Sequence, residues 1–404
     1  MRILTFTNLY PSTAQPRHGI FIEHRVRQLV ASGEVSVRVI APQPWVPSAG
    51  RLFGRFGALA HVPATEVRDG VRVWYPRFFA VPKLTSWINP LLMALSVLPL
   101  ARRLQRESDF DLIDAHFFFP DGAAAVLLGL WLGKPVAVTA RGTDINTFPD
   151  YAVPRRWIRW VARRASALIT VSAALRDALM RLGVARERVS VLRNGVDLEL
   201  FTPVDREVTR GELRLDGPVM ISVGHLIPDK GHQFVIEALP QLPGTSLLIA
   251  GDGPMRAQLE ALAVRVGVAE RIRWLGTLSQ QQLARHYAAA DITLLVSKIE
   301  GMPNVLLESL ACGTPVVATN VGGNGEIVNA PVAGMLIDER SATAVAGAVG
   351  KLLQAKHDRA AVRRHAEQFG WAPTTQGLLS LFASLAGRST AASDAARASA
   401  RVAG

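Results

Sequence analysis

The sequence predicts an α/β chain of two successive doubly wound, Rossmann-like domains. Two observations predict it. Short β-branched runs alternate with stretches of helical spacing, the pattern of parallel sheets wound with crossover helices. That alternation then restarts, so one sheet is followed by another. The length of 404 residues fits two domains of about 150–200 residues better than one. In the first half the strand-like runs are RILTFTN, VSVRVIAP, DLIDAHF, PVAVTAR, ALITVS and VSVLRNG. Between them, FIEHRVRQLVASG and DGAAAVLLGLWLG carry apolar residues at helical spacing. The second set is PVMISVGHL, SLLIAGDG, RIRWLGT, ITLLVSK, TPVVATN and GMLID.

These runs place an N-terminal domain over 1–200 and a C-terminal domain over 201–371. The linker is expected near 197–216, where DLELFTPVDREVTRGELRLD has little apolar periodicity. WAPTTQGLLSLFASLAG is amphipathic, and residues 372–388 are expected as a terminal helix packing back on the N-terminal domain. Residues 389–404 are small and polar, with too little apolar mass to offset ordering entropy, and read as a disordered tail.

The N-terminus, MRILTFTNLY, reads as a first strand and not as a signal peptide. The longest apolar stretch, Pro90 to Leu104, is shorter than the roughly 20 residues a membrane span takes and is expected as a buried helix. A single cysteine, Cys312, rules out an intrachain disulfide and fits a reducing compartment. Its apolar setting predicts a buried, inert thiol. A cytoplasmic protein is expected, with a peripheral place on the inner face of the cell membrane left open.

Residues 1–210 carry 28 Lys and Arg against 17 Asp and Glu, a net of +11 out of +12 for the whole chain. A basic half suits nucleic acid, anionic lipid or a phosphate-rich ligand. No helix-turn-helix, zinc-finger or RNA-binding signature accompanies it, so no nucleic-acid partner is expected.

In open parallel sheets, ligands collect outside the carboxyl ends of the strands. Three loops of the second half qualify: HLIPDKG, GDGP and KIEGMPN, the last leading into the helical stretch VLLESLACG. Gly224 just before the first loop, and Gly253 and Gly301 in the other two, let a backbone approach a phosphate closely, and a helix start offers N–H groups and a positive dipole end. Glu300 and Glu308 bracket that helix start. A carboxylate repels a phosphate, so each acid is better used accepting hydrogen bonds from hydroxyls. A sugar on one side, a ribose on the other and a diphosphate between them make a nucleotide sugar.

At these residues the sequence resembles the retaining glycosyltransferases of family 4. EGMPNVLLESLACGTPVVATNVGGNGEIV looks like the family's paired-glutamate signature. VGHLIPDKG, GDGPMRAQLE, RIRWLGTLSQQQLARHYAAADI and RNGVD follow the family pattern, as do DLIDAHFFFPDGAAAVLLG and KPVAVTARGTDIN in the first half. Enzymes of teichuronic acid and other surface polysaccharides are the most similar subset. The resemblance implies the GT-B fold, two Rossmann-like domains facing across a cleft. It implies transfer of a hexose from a nucleotide diphosphate sugar to an acceptor hydroxyl, on a saccharide or lipid-linked acceptor. No metal and no other cofactor is implied, and no metal-ligand spacing is visible in the sequence.

Roles carry over by position. Glu300 would contact hydroxyls of the transferred sugar, and Glu308 the ribose. Backbone N–H groups across Gly301, Met302, Pro303, Asn304 and Val305 would hold the distal phosphate and sugar, proline lacking one. Lys230 would neutralise the diphosphate leaving group. His116 would stand near the reacting sugar. Three departures bear on donor or acceptor contacts: His225 stands where the family usually has Arg, Arg141 where it often has His, and Gly19 is the single glycine of the N-terminal loop. Taken by itself, a histidine such as His116 is more often a satisfied core residue; its place at a strand end brings the two readings level, and Arg141 could simply pair with Asp144. Asn194 and Asp197 suit a turn.

The stretch PRRWIRWVARRASA interleaves five arginines with Trp157 and Trp160. It suits an anionic membrane surface, or a solvated helix face with both Trp packed inward. Two other functions stay open: a UDP-N-acetylglucosamine 2-epimerase-like enzyme, which needs no acceptor, and a non-catalytic scaffold on the same fold.

Overall fold

The computed structural model describes residues 1–45, 61–80, 87–355 and 357–402, with side chains described to residue 387. The chain divides into two compact units, Met1–Leu192 with Ala372–Gly404, and Arg193–Trp371. Residues 193–200, expected with the first domain, therefore belong to the second unit.

The first unit holds an eight-stranded sheet. Its strands are β1 (Arg2–Phe6), β2 (Ser36–Ile40), β4 (Thr65–Arg68), β5 (Val71–Trp74), β7 (Leu112–His116), β8 (Val136–Ala140), β9 (Ala167–Thr170) and β10 (Val189–Val191). They lie in the order β10-β9-β8-β7-β1-β2-β5-β4, all parallel except the β4–β5 hairpin. A small parallel pair joins β3 (Gln43–Trp45) and β6 (Arg77–Phe79). β7 and β8 are buried along their whole length, as strands covered on both faces must be. Leu378, Leu379, Phe382 and Leu385 of the terminal helix join the core of Ile3, Ile22, Val26 and Val39.

The hairpin is absent from the expected strands. Its signal was legible: Asp69 and Gly70, with φ 47° and 78°, form the two-residue Asp-Gly turn that hairpins favour.

The second unit holds β11 (Val219–Val223), β12 (Ser246–Ala250), β13 (Ile272–Gly276), β14 (Ile292–Leu295), β15 (Val316–Thr319) and β16 (Gly334–Ile337). All six are parallel, in the order β13-β12-β11-β14-β15-β16. That is the doubly wound order, whose connections leave β11 and β14 in opposite directions and open a crevice between them. In the first unit the same switch falls between β1 and β7.

Two expectations on the chain's irregular parts are corrected. Within the expected linker, Arg206–Leu213 is a helix, capped by the Asp205 carboxylate accepting from Val208 N–H. The expected disordered tail is helical to Val402, as part of the helix Trp371–Val402. Six of residues 389–402 are alanine, the best helix former, so backbone propensity and not apolar burial favours the helix here.

Candidate functional site

In the second unit the loop after β11 carries Gly224, His225 and Lys230, and the loop after β14 carries Glu300 to Pro303. The two loops are stitched through their backbones. Lys298 N–H donates to Asp229 O at 2.7 Å. Arg340 donates from Nε to Val296 O at 2.9 Å and from its terminal nitrogen to Pro228 O and Asp229 O at 3.2 and 3.3 Å, while stacking over Phe234. Gly231, at φ 73°, lets the first loop pass so close that a Cβ there would sit 2.1 Å from Val296 O. Gly253 belongs to a third loop tied to the first, with Leu226 N–H donating to Asp252 O and Met255 N–H to Leu226 O. His225 Nδ1 also contacts Asp252 O.

This stitching brings two expected residues together. Lys230 Nζ lies 2.6 Å from Glu300 Oε1, and the lysine side chain is 29% exposed. Beyond Glu300 the helix Asn304–Ala311 begins at Pro303 with no side-chain cap, leaving the N–H groups of its first turn to a ligand. The turn before it is held from two sides. Gly323 N–H donates to Gly301 O at 3.0 Å. Asn194 Nδ2 donates to Met302 O at 3.3 Å and Asn304 Oδ1 at 3.1 Å. Asn194 is thus a brace for the turn.

Glu308 lies one turn into the helix and is half-buried. Burial pushes its carboxyl up to about 7, opposed by the hydrogen bond from Tyr287 Oη at 3.2 Å. Cys312 is fully buried and its thiol is pushed up to about 12 by burial, as an inert thiol should be.

The switch point of the first unit is built differently. His116 is at the end of β7, as the sequence suggests, but its ring is fully buried. Its Nδ1 lies 2.9 Å from an Arg141 guanidinium nitrogen and its Nε2 3.4 Å from Asp114 Oδ2. Arg25 pairs with Asp114 Oδ1 at 3.1 Å and donates to Thr139 Oγ1 at 3.0 Å. Burial, opposed by Asp114, pushes the imidazole down to about 3, so it is neutral at pH 7.

Asp144 accepts from the backbone N–H groups of Phe118, Arg141 and Gly142 at 2.9–3.0 Å. Its partner is thus the Arg141 backbone, while the Arg141 guanidinium lies over the Phe21 ring. Asp121 accepts from Asn8 N–H at 2.7 Å and Thr7 Oγ1 at 3.1 Å, tying the β1 and β7 loops together. Gly19 is buried at the start of the helix Ile20–Ala31. Arg25, Asp114, Asp121, Asn194, Tyr287 and Arg340 were not singled out from the sequence for these roles. Asp114 inside the apolar run DLIDAH, and Arg25 among Ile22, Val26 and Leu29, are each a signal of a charge that needs a buried partner, though not of which one.

Known proteins resemble the chain along nearly its whole length. Residues 19–200 match the family model for Glycosyltransferase Family 4, and residues 205–369 that for Glycosyl transferases group 1. A Bacillus subtilis (strain 168) protein named for teichuronic acid biosynthesis, the glycosyltransferase TuaC, is 31% identical over 358 residues, 86% of this chain and 88% of its own. A D-inositol 3-phosphate glycosyltransferase of Mycobacteroides abscessus is 33% identical over 353 residues, 82% and 79% of the two chains. Among solved structures, sucrose-phosphate synthase from Thermosynechococcus elongatus superposes with a TM-score of 0.75 at 19% identity, over 95% of this chain and 98% of that one. Anabaena Alr3699/HepE, solved in complex with UDP-glucose, gives 0.71 at 21% identity, over 95% and 100%.

Proposed function

Because the chain belongs to glycosyltransferase family 4 and has the GT-B fold, we propose that it moves a hexose to a lipid-linked saccharide in cell-surface polysaccharide biosynthesis, with retention at the anomeric carbon. It is a glycosyltransferase that uses a nucleotide sugar. The observation that carries the finer reading is Lys230 at 2.6 Å from Glu300, in front of an uncapped helix start at a switch point. The diphosphate of the donor takes its place between the Lys230 ammonium and the N–H groups of Gly301, Met302, Asn304 and Val305. Glu300 accepts from hydroxyls of the hexose and Glu308 from the ribose. As the bond from the anomeric carbon to the phosphate oxygen breaks, the acceptor oxygen bonds to the same face. The acceptor's proton passes to the departing phosphate oxygen, and a nucleoside diphosphate leaves. Lys230 and the helix start stabilise the charge that develops there, with no metal ion taking part. His116, Arg141, Asp144 and Gly19 belong to the acceptor side, where the buried network fixes the loops that receive the second substrate. His225 and Gly253 shape the donor loop.

The relatives support this reading: TuaC is named for a polysaccharide pathway, and HepE holds UDP-glucose. A thermal-shift screen against UDP-, GDP- and ADP-sugars is the first test, because a ligand stabilises by RT ln(1 + [L]/Kd). Radiolabelled transfer to a membrane lipid extract follows, with EDTA and with Glu300→Ala. Transfer that survives EDTA and is lost in the variant is expected. Release of a new free sugar without acceptor would mean an epimerase. Equal donor binding by wild type and variant, with transfer by neither, would mean a scaffold.

A further inference from the structure

The loop between β1 and the helix Ile20–Ala31, residues 7–19, lies at the carboxyl edge of the first sheet, where the switch point falls. It holds no strand or helix, only a single bridge between Ser12 and Gln15. A loop of this length keeps one shape only if it is tied down, because its ordering entropy must be offset. Asp121 ties its inner flank, through Asn8 N–H and Thr7 Oγ1.

The outer flank is tied by the β4–β5 hairpin. β5 runs parallel to β2, and β4 antiparallel to β5. The end of β5 and the start of β4 therefore reach the carboxyl edge, while the Asp69–Gly70 turn lies at the opposite one. Glu66 of β4 accepts from Thr13 N–H at 2.9 Å and from Thr13 Oγ1 at 2.6 Å. Tyr75, just beyond β5, donates from Oη to Pro11 O at 2.5 Å. Arg68 lies 3.5 Å from Glu66 Oε2 and 2.6 Å from Glu23 Oε1, joining the hairpin to the helix that follows the loop. Burial raises the Glu66 carboxyl, but Thr13 and Arg68 outweigh it and hold the group below the ordinary carboxylate range. Glu66 is thus an ionised acceptor at pH 7. Burial raises the Tyr75 hydroxyl, so it keeps the proton it donates. The far end of the loop meets the buried network. Gly19 closes against Leu9, where a Cβ would sit 2.1 Å from the Leu9 carbonyl oxygen. Two residues on, the Phe21 ring lies 5.3 Å from the Arg141 guanidinium, which in turn contacts His116.

We propose that Glu66 and Tyr75 are positioning residues for the second substrate: the hairpin fixes the shape of the 7–19 loop, and that shape decides how the acceptor is received. Neither residue touches the reacting atoms. A displacement of about 1 Å caused far from the chemistry is enough to lower the rate, so a brace of this kind has a kinetic effect. The role rests on the reading that gives this edge of the first unit to the acceptor. Both residues belong to the first unit and the donor loops to the second, so donor affinity should not depend on them.

The test uses the full chain and three variants, Glu66→Ala, Glu66→Gln and Tyr75→Phe. Arg27→Ala is the control, since it breaks only the exposed Arg27–Asp69 pair at the hairpin's other end. Trypsin reads the loop itself, because Arg17 is exposed in it. Cleavage after Arg17, followed by mass spectrometry, should be about tenfold faster in Glu66→Ala and Tyr75→Phe, the worth of one or two hydrogen bonds. Glu66→Gln, which keeps an acceptor for Thr13 N–H, should show a smaller rise. Transfer to graded amounts of membrane lipid extract should need about tenfold more extract for half-maximal rate, with kcat and donor Kd within about twofold of wild type. Arg27→Ala should match wild type throughout. Should Glu66→Ala fail to fold, Glu66→Gln and Tyr75→Phe carry the same readouts. Unchanged cleavage would overturn the brace. Faster cleavage with weaker donor binding and an unchanged need for extract would overturn the acceptor role and give the loop to the donor. The same changes in Arg27→Ala would reduce the effect to general loosening and overturn it as well. A wild type that binds donor but transfers nothing would overturn the transfer reading, and the acceptor role with it.

Discussion

At the switch point of the C-terminal unit, the Lys230 side chain keeps 29% of its surface exposed; at that of the N-terminal unit, His116 and Asp114 expose none. Both places hold charged groups at the ends of parallel strands, but they are built of different materials. The C-terminal one is mostly backbone: loops tied carbonyl to amide, glycines passing close and one ion pair at the open edge. The N-terminal one is a closed network of Arg25, Asp114, His116 and Arg141, with Asp121 and Asp144 holding the loops. Phe117, beside the network, has φ 70°, a conformation that a non-glycine residue keeps only where its surroundings impose it. The difference teaches which charges can be used. A half-exposed ammonium can exchange a carboxylate for a phosphate at little desolvation cost. A buried charge that loses its partner costs far more, so the network is suited to holding shape.

The largest effect should come from breaking that network. Arg25→Ala leaves Asp114 buried without its main cation and is expected to destabilise the chain by about 3–5 kcal/mol in urea unfolding. Lys230→Ala should do the opposite. Its stability change is expected below about 1 kcal/mol, while kcat for transfer falls about 10²–10³-fold, the usual loss for one charge-stabilising group. Swapped outcomes would mean that the open ion pair holds the fold and the buried network does not.

Gly231→Ala tests the backbone side of the comparison. Its Cβ would meet Val296 O at 2.1 Å, so a loss of about 1–3 kcal/mol is expected, with weaker donor binding by calorimetry. The carboxyls supply a pH test. Burial raises Glu308 and Asp121 to about 7, above their unfolded values of 4.5 and 3.8. These two groups therefore hold more protons folded than unfolded in that window and lower stability as pH rises, while His116 and His232, pushed down by burial to about 3 and 4, hold fewer and raise it. Glu308→Gln removes one of the falling contributions, so stability should climb more steeply from about pH 5 to 7 in the variant than in wild type, by on the order of 1 kcal/mol. Unfolding measured at the two pH values reads this directly, and an unchanged slope would argue that Glu308 is solvated. Asn194→Ala should have the smallest effect, about 1 kcal/mol, with a modest rise in the donor Kd.

Much of this was legible in the residues. The twelve strands expected from β-branched runs are all present, and the β4–β5 hairpin, which is not among them, carries its Asp-Gly turn in the sequence. Glu300, Gly301 and Lys230 could be placed at loop ends because strand periodicity locates the carboxyl edge. His116 could be located at its strand end, but not its enclosure. Nothing near His116 in sequence announces Arg25, 91 positions away.

Residue order along the chain was sufficient for two sheets, their helices and the loops between them, because periodicity and turn chemistry act over a few neighbouring positions. Pairing was not determined there. Lys230 meets Glu300 across 70 residues, and Arg25 meets Asp114 across 89, only after the strands take their places in the sheet. Which charges end enclosed and which stay on an open edge is a property of that packing, since desolvation depends on everything that surrounds a group and not on its neighbours in the chain.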